Sequence, residues 1–209
     1  IPMVGLLAEP EEAEIMYGVE EYYPQQRLKI MSSEELKKYN GENGSLAYVA
    51  IEEIVYNITN SSVLDLFNGT NLRLGSDITE EFKTYYKSII GDQCKQAIYS
   101  GCDIETSLGT KHFSYTAEDQ QNIQDLFITI LAAQENISLP YHADGDYCEI
   151  FTGFDIISIF SVLSSNKIYH TTYCNILNRM IENQTSINGI KDIVYGMEIT
   201  DKDDKELLD

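Results

Sequence analysis

Four side chains in the second half of the chain have the chemistry to hold a metal ion: His142, Cys148, His170 and Cys174. His170 and Cys174 stand four apart, so on a helix both project from one face and can chelate one ion. His142 and Cys148 fall on the turn and strand before that helix. If the turn folds back against it, the four make a Cys2His2 set, the composition of a structural zinc site, although the spacing is not that of a zinc finger. The preferred alternative is that they pack a small core. Cysteine is commonly buried as a small hydrophobe, and a buried histidine can satisfy both ring nitrogens locally. A Cys-His nucleophilic pair drawn from the same residues lacks a recognisable oxyanion hole. No serine, histidine and aspartate fall in a nucleophile-elbow context, and the glycines form no phosphate-binding pattern. Asp144, next to Gly145, reads as an Asx-type turn rather than a general acid, and Cys94 and Cys102 read as ordinary thiols. No catalytic or cofactor-binding residue is expected, and the chain is not read as an enzyme.

The elements that would carry these residues follow from local pattern. Near Arg27 a short alternating strand precedes a small helix, capped by Ser33 and running to Tyr39, and residues 40 to 44 form a turn cluster. Residues 46–51 and 53–59 are rich in β-branched and aromatic types and read as a hairpin. Ser61 or Ser62 can cap a short helix to Phe67, and Asp77 a longer one carrying Ile78, Phe82, Tyr85, Tyr86 and Ile89. From Gly101 a second hairpin is expected around Leu108-Gly109. Thr116 with Asp119 then starts a helix presenting Ile123, Leu126, Phe127, Ile130 and Leu131, to about Gln134. Residues 140–145 carry turn chemistry, and 147–151 are strand-like. The longest helical stretch covers about 154–183, with a potential break at Ser164-Ser165-Asn166, and residues 190–199 read as a final strand.

The formal net charge is −20, with no basic run that could line a phosphate backbone. That charge would also be repelled by an anionic membrane, and no stretch approaches the roughly 20 apolar residues of a bilayer span. Neither nucleic acid nor membrane is therefore an expected partner; other proteins are. Acidic residues crowd both ends: Glu9, Glu11, Glu12, Glu14, Glu20 and Glu21 before any base, and residues 201–209 after the last expected strand. Each end reads as a docking arm or a solvating terminus. The apolar opening of the chain lacks the basic region of a secretory signal. Four cysteines are too few for a disulfide-stapled scaffold. Fifteen tyrosines without tryptophan suit protein-binding surfaces, with Tyr22-Tyr23, Tyr85-Tyr86 and the pair Tyr169 and Tyr173 as candidates beside core packing.

Two resemblances sharpen these expectations. The stretch from Glu35-Leu36 through Ala47-Tyr48-Val49-Ala50-Ile51, Val55-Tyr56-Asn57-Ile58-Thr59-Asn60 and Gly75-Ser76-Asp77-Ile78-Thr79-Glu80-Glu81-Phe82 resembles the cytochrome b-five-like haem/steroid-binding family over residues 27 to about 90. Where that family ligates haem this chain has Leu66-Phe67-Asn68-Gly69-Thr70-Asn71, and no histidine occurs before His112, so the fold is expected without haem. An apolar ligand in the vacated cleft is the alternative to a cleft filled by side chains. Lys111-His112-Phe113-Ser114, Glu118-Asp119-Gln120, Tyr141-His142-Ala143-Asp144-Gly145, Cys148, Phe151 and Tyr169-His170-Thr171-Thr172-Tyr173-Cys174-Asn175 resemble, in that order, an uncharacterised helical domain of phage tail-fibre-assembly, tail and baseplate proteins, over about 101–197.

The expected fold class is α+β with two small domains: an acidic arm (1–26), a cytochrome b-five-like domain without haem (27–100), a mainly helical tail-associated domain with short strands (101–200) and an acidic tail (201–209). The second resemblance implies a structural component of a phage tail or phage-tail-like particle, present in many copies, made in the bacterial cytoplasm and touching neighbouring tail, baseplate or fibre proteins. A tail-fibre assembly chaperone absent from the finished particle, and a binder of metal or a small apolar ligand, are the alternatives.

Overall fold

The computed structural model describes residues 3–5, 29–67, 72–133 and 137–208, and within them the chain is α+β, with helices and four separate two-stranded antiparallel sheets. The chain divides into two compact units, residues 1–88 with 180–193 and residues 89–179 with 194–209. The division thus lies at Ser88/Ile89 rather than near residue 100, and a late segment belongs to the first unit. Of the expected acidic arm, Met3–Gly5 forms a strand; its glutamates and Tyr22-Tyr23 lie outside the described residues.

In the first unit, β1 (Met3–Gly5) pairs with β2 (Lys29–Met31). Helix α1 (Ser33–Leu36) is capped one residue earlier than expected: Ser32, not Ser33, accepts from the Glu35 amide, and the Glu35 carboxylate accepts in turn from the Ser32 amide. The helix stops at Leu36 instead of Tyr39, whose ring stacks on Tyr48 at 4.3 Å. Strands β3 (Tyr48–Ile51) and β4 (Ile54–Asn57) make the expected hairpin, closed by Glu52 and Glu53, both at positive φ (49° and 64°). Two-residue hairpin turns favour that geometry because it matches the twist of the strands, at a steric cost to any residue but glycine. The Glu52 amide donates to Thr79 Oγ1 at 2.8 Å, and the Glu52 carboxylate pairs with buried Lys83. Lys83 Nζ also donates to the carbonyl of Glu182 at 2.8 Å, satisfying one of the carbonyls left open at a helix end. Residues 75–78 run beside β3 through Gly75 N to Tyr48 O, Ala50 N to Ser76 O and Ile78 N to Ala50 O. Met31, Leu36, Tyr48, Ala50 and Val55 form the core here.

Ser62–Phe67 is a short 3-10 helix, while Asn68-Gly69-Thr70-Asn71, the rest of the stretch aligned with the haem-ligating segment, lies outside the described residues. Helix α2 (Thr79–Tyr99) follows; its first bond runs from the Phe82 amide to the Ile78 carbonyl, so Asp77, the expected cap, stands one residue ahead of the cap position, where its Oδ1 accepts from the Thr79 amide at 3.0 Å, and Ile78 and Phe82 are buried.

The second unit contains the hairpin of β5 (Cys102–Thr106) and β6 (Gly109–Phe113), then α3 (Ala117–Ala132), opened by the expected Thr116–Asp119 capping box. Within α3, Ile123 is fully buried and Phe127 stacks on Phe160 at 4.1 Å, but Leu131 is 64% exposed, contrary to its expected place on the apolar face. Strand β7 (Ser138–Tyr141), unexpected because it contains Pro140, pairs with β8 (Glu149–Thr152). Proline is tolerated where the missing N–H faces no partner, as on a free edge.

Helix α4 (Gly153–Glu182) runs unbroken through Ser164-Ser165-Asn166. Ile156, Ile159 and Leu163 before those residues and Tyr173, Ile176 and Leu177 after them are buried at helical spacing, which outweighs a few tenths of a kcal/mol of propensity per polar residue. The final strand expected at 190–199 does not form. Ile187–Lys191 is instead helix α5, capped by Ser186, and Lys202–Glu206 is α6, capped by Asp201. Ile187, Ile190 and Ile193 are buried three apart, a helical rather than an alternating period.

Candidate functional site

The proposed zinc ligands do not converge. His142 and Cys148 are exposed on the loop between β7 and β8, whereas Cys174 is buried on α4 and His170, one turn earlier, is half-buried. Among the described residues no three His, Cys, Asp or Glu side chains gather around a common point.

What meets the α4 pair instead is Cys94, which composition and spacing left as an ordinary thiol. Its Sγ donates to the His170 carbonyl at 3.4 Å, and Cys174 is its neighbour. His170 Nδ1 lies 2.8 Å from the hydroxyl of Tyr195, and Cys174 Sγ accepts from Asn178 at 3.6 Å. Burial, and then the neighbouring Cys174, pushes the Cys94 thiol up to about 11, against a smaller opposing effect of the nearby Tyr195 hydroxyl. Burial also raises the Tyr195 phenol and lowers His170. Desolvation therefore favours the neutral form of each of these three groups. A neutral thiol is a poor nucleophile, and His170 Nδ1 is already engaged with Tyr195, so these side chains meet as packed, uncharged neighbours.

The two sequence signatures that contain His112 and His142 are brought together, as a structural clip. Ser114 donates through its amide (3.1 Å) and hydroxyl (3.0 Å) to Asp144 Oδ1, and the Asp144 amide donates to the His112 carbonyl at 2.9 Å. The Asp144 carboxylate thus reaches back to the end of β6 instead of to its own turn. Lys111 Nζ pairs with Asp146 (2.7 Å) and Glu149 (2.6 Å), which fixes the far side of the same loop. Beneath it Phe113 stacks on Tyr141 at 6.1 Å and meets Phe151 edge-on at 5.9 Å. His112 sits between Asp103 Oδ1 on Nδ1 and the Ser100 carbonyl on Nε2, each at 2.7 Å. Both partners accept, so both nitrogens are best satisfied as donors; the Asp103 bond first, then that to Ser100, raises its pKa. His142 takes no part in these polar bonds, its ring lying beside Tyr141 at 5.5 Å.

Two hollows accompany these features. In the first unit a space of about 340 Å3 is lined by Glu52, Glu53, Asp77, Thr79, Glu80 and Glu81, an acidic surface. In the second unit a cleft of about 320 Å3 has Tyr169, Tyr173, Met197, Ile199 and Leu208 as its apolar lining and Glu198 and Lys205 beside it. Sequence reading marked only the two tyrosines.

The second unit also exposes large apolar side chains near its β7–β8 hairpin. Tyr147 is 95% and Phe154 75% exposed, and Ile150 faces solvent opposite its register partner Pro140. Among the described residues no helix is long and apolar enough to cross a membrane. No family model, curated protein or solved structure matches the chain.

Proposed function

We propose that this chain is a structural component of a phage tail or phage-tail-like particle, in the baseplate or fibre-attachment region, that works by contact with neighbouring proteins and not by catalysis. The observation that carries the contact part of this reading is the exposure of Tyr147, Ile150 and Phe154 in the second unit. Aromatic and aliphatic side chains left in water around a short hairpin are the chemistry of a protein-binding surface. The thiol-histidine cluster around Cys94 is held neutral, which gives no support to a reaction there. The phage context rests on the order of the signatures around His112 and His142 and of the Tyr169–Asn175 stretch that holds His170. Repetition of one contact in a symmetric particle would convert modest affinity into firm assembly.

Within the same reading the first unit corresponds to a cytochrome b-five-like fold that lacks haem. The β3–β4 hairpin, the short 3-10 helix and then α2 support that assignment, and haem does not fit a chain with no histidine before His112.

Quantitative mass spectrometry of gradient-purified particles tests the proposal. A fixed ratio of this chain to an abundant tail protein is expected. Its loss into the lysate during purification overturns the structural role in favour of a transient assembly chaperone.

A further inference from the structure

We propose that the cleft between α4 and the segment after Val194 is a docking site for a cationic amphipathic peptide segment of another protein, which seats an apolar side chain over Tyr169 and sets lysine or arginine against Glu198. This rests on the reading of the chain as a protein-contact component and names the kind of partner.

The cleft is preformed. Tyr173, its floor, is 6% exposed and donates to the Met197 carbonyl at 2.7 Å while accepting from the Gly196 amide at 3.0 Å, which ties the segment carrying Met197, Glu198 and Ile199 to α4. Further along, Arg179 pairs with the buried carboxylate of Asp204, which anchors α6 and the Leu208 side of the cleft to the same helix. With both ends pinned, little ordering entropy is lost when a ligand enters. Tyr169 stacks parallel to Tyr173 at 6.3 Å and is 44% exposed, so a ring face is available to an apolar or cationic side chain. The volume of about 320 Å3 is at the lower end of ligand-sized sites.

Charge selects the occupant. Residues 198–206 hold five carboxylates, of which Glu198 pairs with Lys205 at 3.4 Å, Glu206 with Lys202 at 3.6 Å and Asp204 with Arg179, so that Asp201 and Asp203 leave the segment net negative. Glu198 itself is 80% exposed and open to a second cation. A second copy of a chain of net charge −20, a nucleic acid or an anionic lipid surface would all be repelled. A basic segment with apolar anchors is attracted by the field and satisfied by the floor.

The test uses the full chain and a fluorescein-labelled synthetic peptide of alternating Leu and Lys pairs, read by fluorescence anisotropy. Its controls are an oligolysine of equal length and the matching Leu/Glu peptide. Saturable binding of the Leu/Lys peptide is expected, weakened about tenfold each by Tyr169→Ala and Glu198→Lys and unchanged by Phe154→Ser at the other apolar surface. Both cleft positions are exposed, so the variants should keep the melting temperature of the parent chain. Equal binding by parent and cleft variants, or equal binding of oligolysine, overturns the proposal. Particle incorporation separates it from the broader reading: a chain present in particles at fixed ratio, whose cleft variants bind and incorporate like the parent, sinks the cleft alone. A chain absent from particles that shows the expected peptide pattern sinks the particle role alone.

Discussion

Replacing Asp155 by asparagine removes the charge from a joint that ties the start of α4 to the β5–β6 turn. Asp155 is 6% exposed and accepts four hydrogen bonds, from the Ser107 amide (2.8 Å) and hydroxyl (2.7 Å) and from the Thr152 amide (2.9 Å) and hydroxyl (2.7 Å). Burial alone would raise its pKa; the bonds from Thr152 and Ser107 outweigh that and hold the carboxyl down at about 2, against an ordinary value of 3.8. A carboxyl depressed in the folded state contributes stability that is complete above its unfolded pKa and disappears as pH falls through its folded one. The linkage amounts to about 2 kcal/mol, lost between roughly pH 4 and pH 2. An asparagine side chain would keep one acceptor oxygen but turn an NH2 toward groups that donate, so Asp155→Asn should cost about 2 to 3 kcal/mol at pH 7. Urea denaturation followed by tyrosine fluorescence, for parent and variant from pH 7 to pH 2, measures the difference directly. Other carboxylates cancel in it, and it should shrink by about 2 kcal/mol at the acid end. A difference that stays constant with pH, or is near zero at pH 7, refutes the reasoning.

Gly101 has φ +66°, and a Cβ there would lie 1.8 Å from the Phe113 carbonyl oxygen, so Gly101→Ala should lower stability by at least about 3 kcal/mol in a thermal melt. Glu53 is exposed with φ 64°, and Glu53→Gly should raise stability by roughly 1 kcal/mol by relieving left-handed strain in the β3–β4 turn. Cys148 is exposed and Cys94 is buried with its thiol raised to about 11, so iodoacetamide at pH 8 followed by mass mapping should modify Cys148 in the native chain well before Cys94.

Features that short stretches of chain determine were legible in the sequence. The β3–β4 and β5–β6 hairpins and the Thr116–Asp119 capping box depend on neighbours a few residues apart, and each forms as its residues predict. The Ser32–Ser33 pair offers two equivalent hydroxyls, so local pattern alone does not single out the one that caps. Pro140 hid β7 because proline disfavours strands in general, while a two-stranded sheet gives it an edge. Ile193-Val194-Tyr195 looked β-forming locally, but the isoleucines at 187, 190 and 193 answer to the core at a helical period. The site was the least legible part. Cys94 meets His170 across 76 residues of chain, and Tyr195 reaches the same histidine across 25; neither separation leaves a local pattern. Asp144 of the clip was legible as a turn residue, but its partner, Ser114, lies 30 residues back.

The interleaved order of the two units bears on how the protein is made. Residues 180–193 join the first unit only after the ribosome has synthesised residues 89–179 of the second. Lys83, for example, emerges 99 residues ahead of the Glu182 carbonyl to which it donates. A nascent chain stalled anywhere before that point holds an unfinished first unit, and a gene cut after residue 100 encodes a fragment that lacks the buried Ile187, Ile190 and Ile193. Vectorial synthesis therefore delays closure of the first unit until most of the second has left the exit tunnel, and places the acceptable cut sites for fragment expression outside the span from 88 to 193.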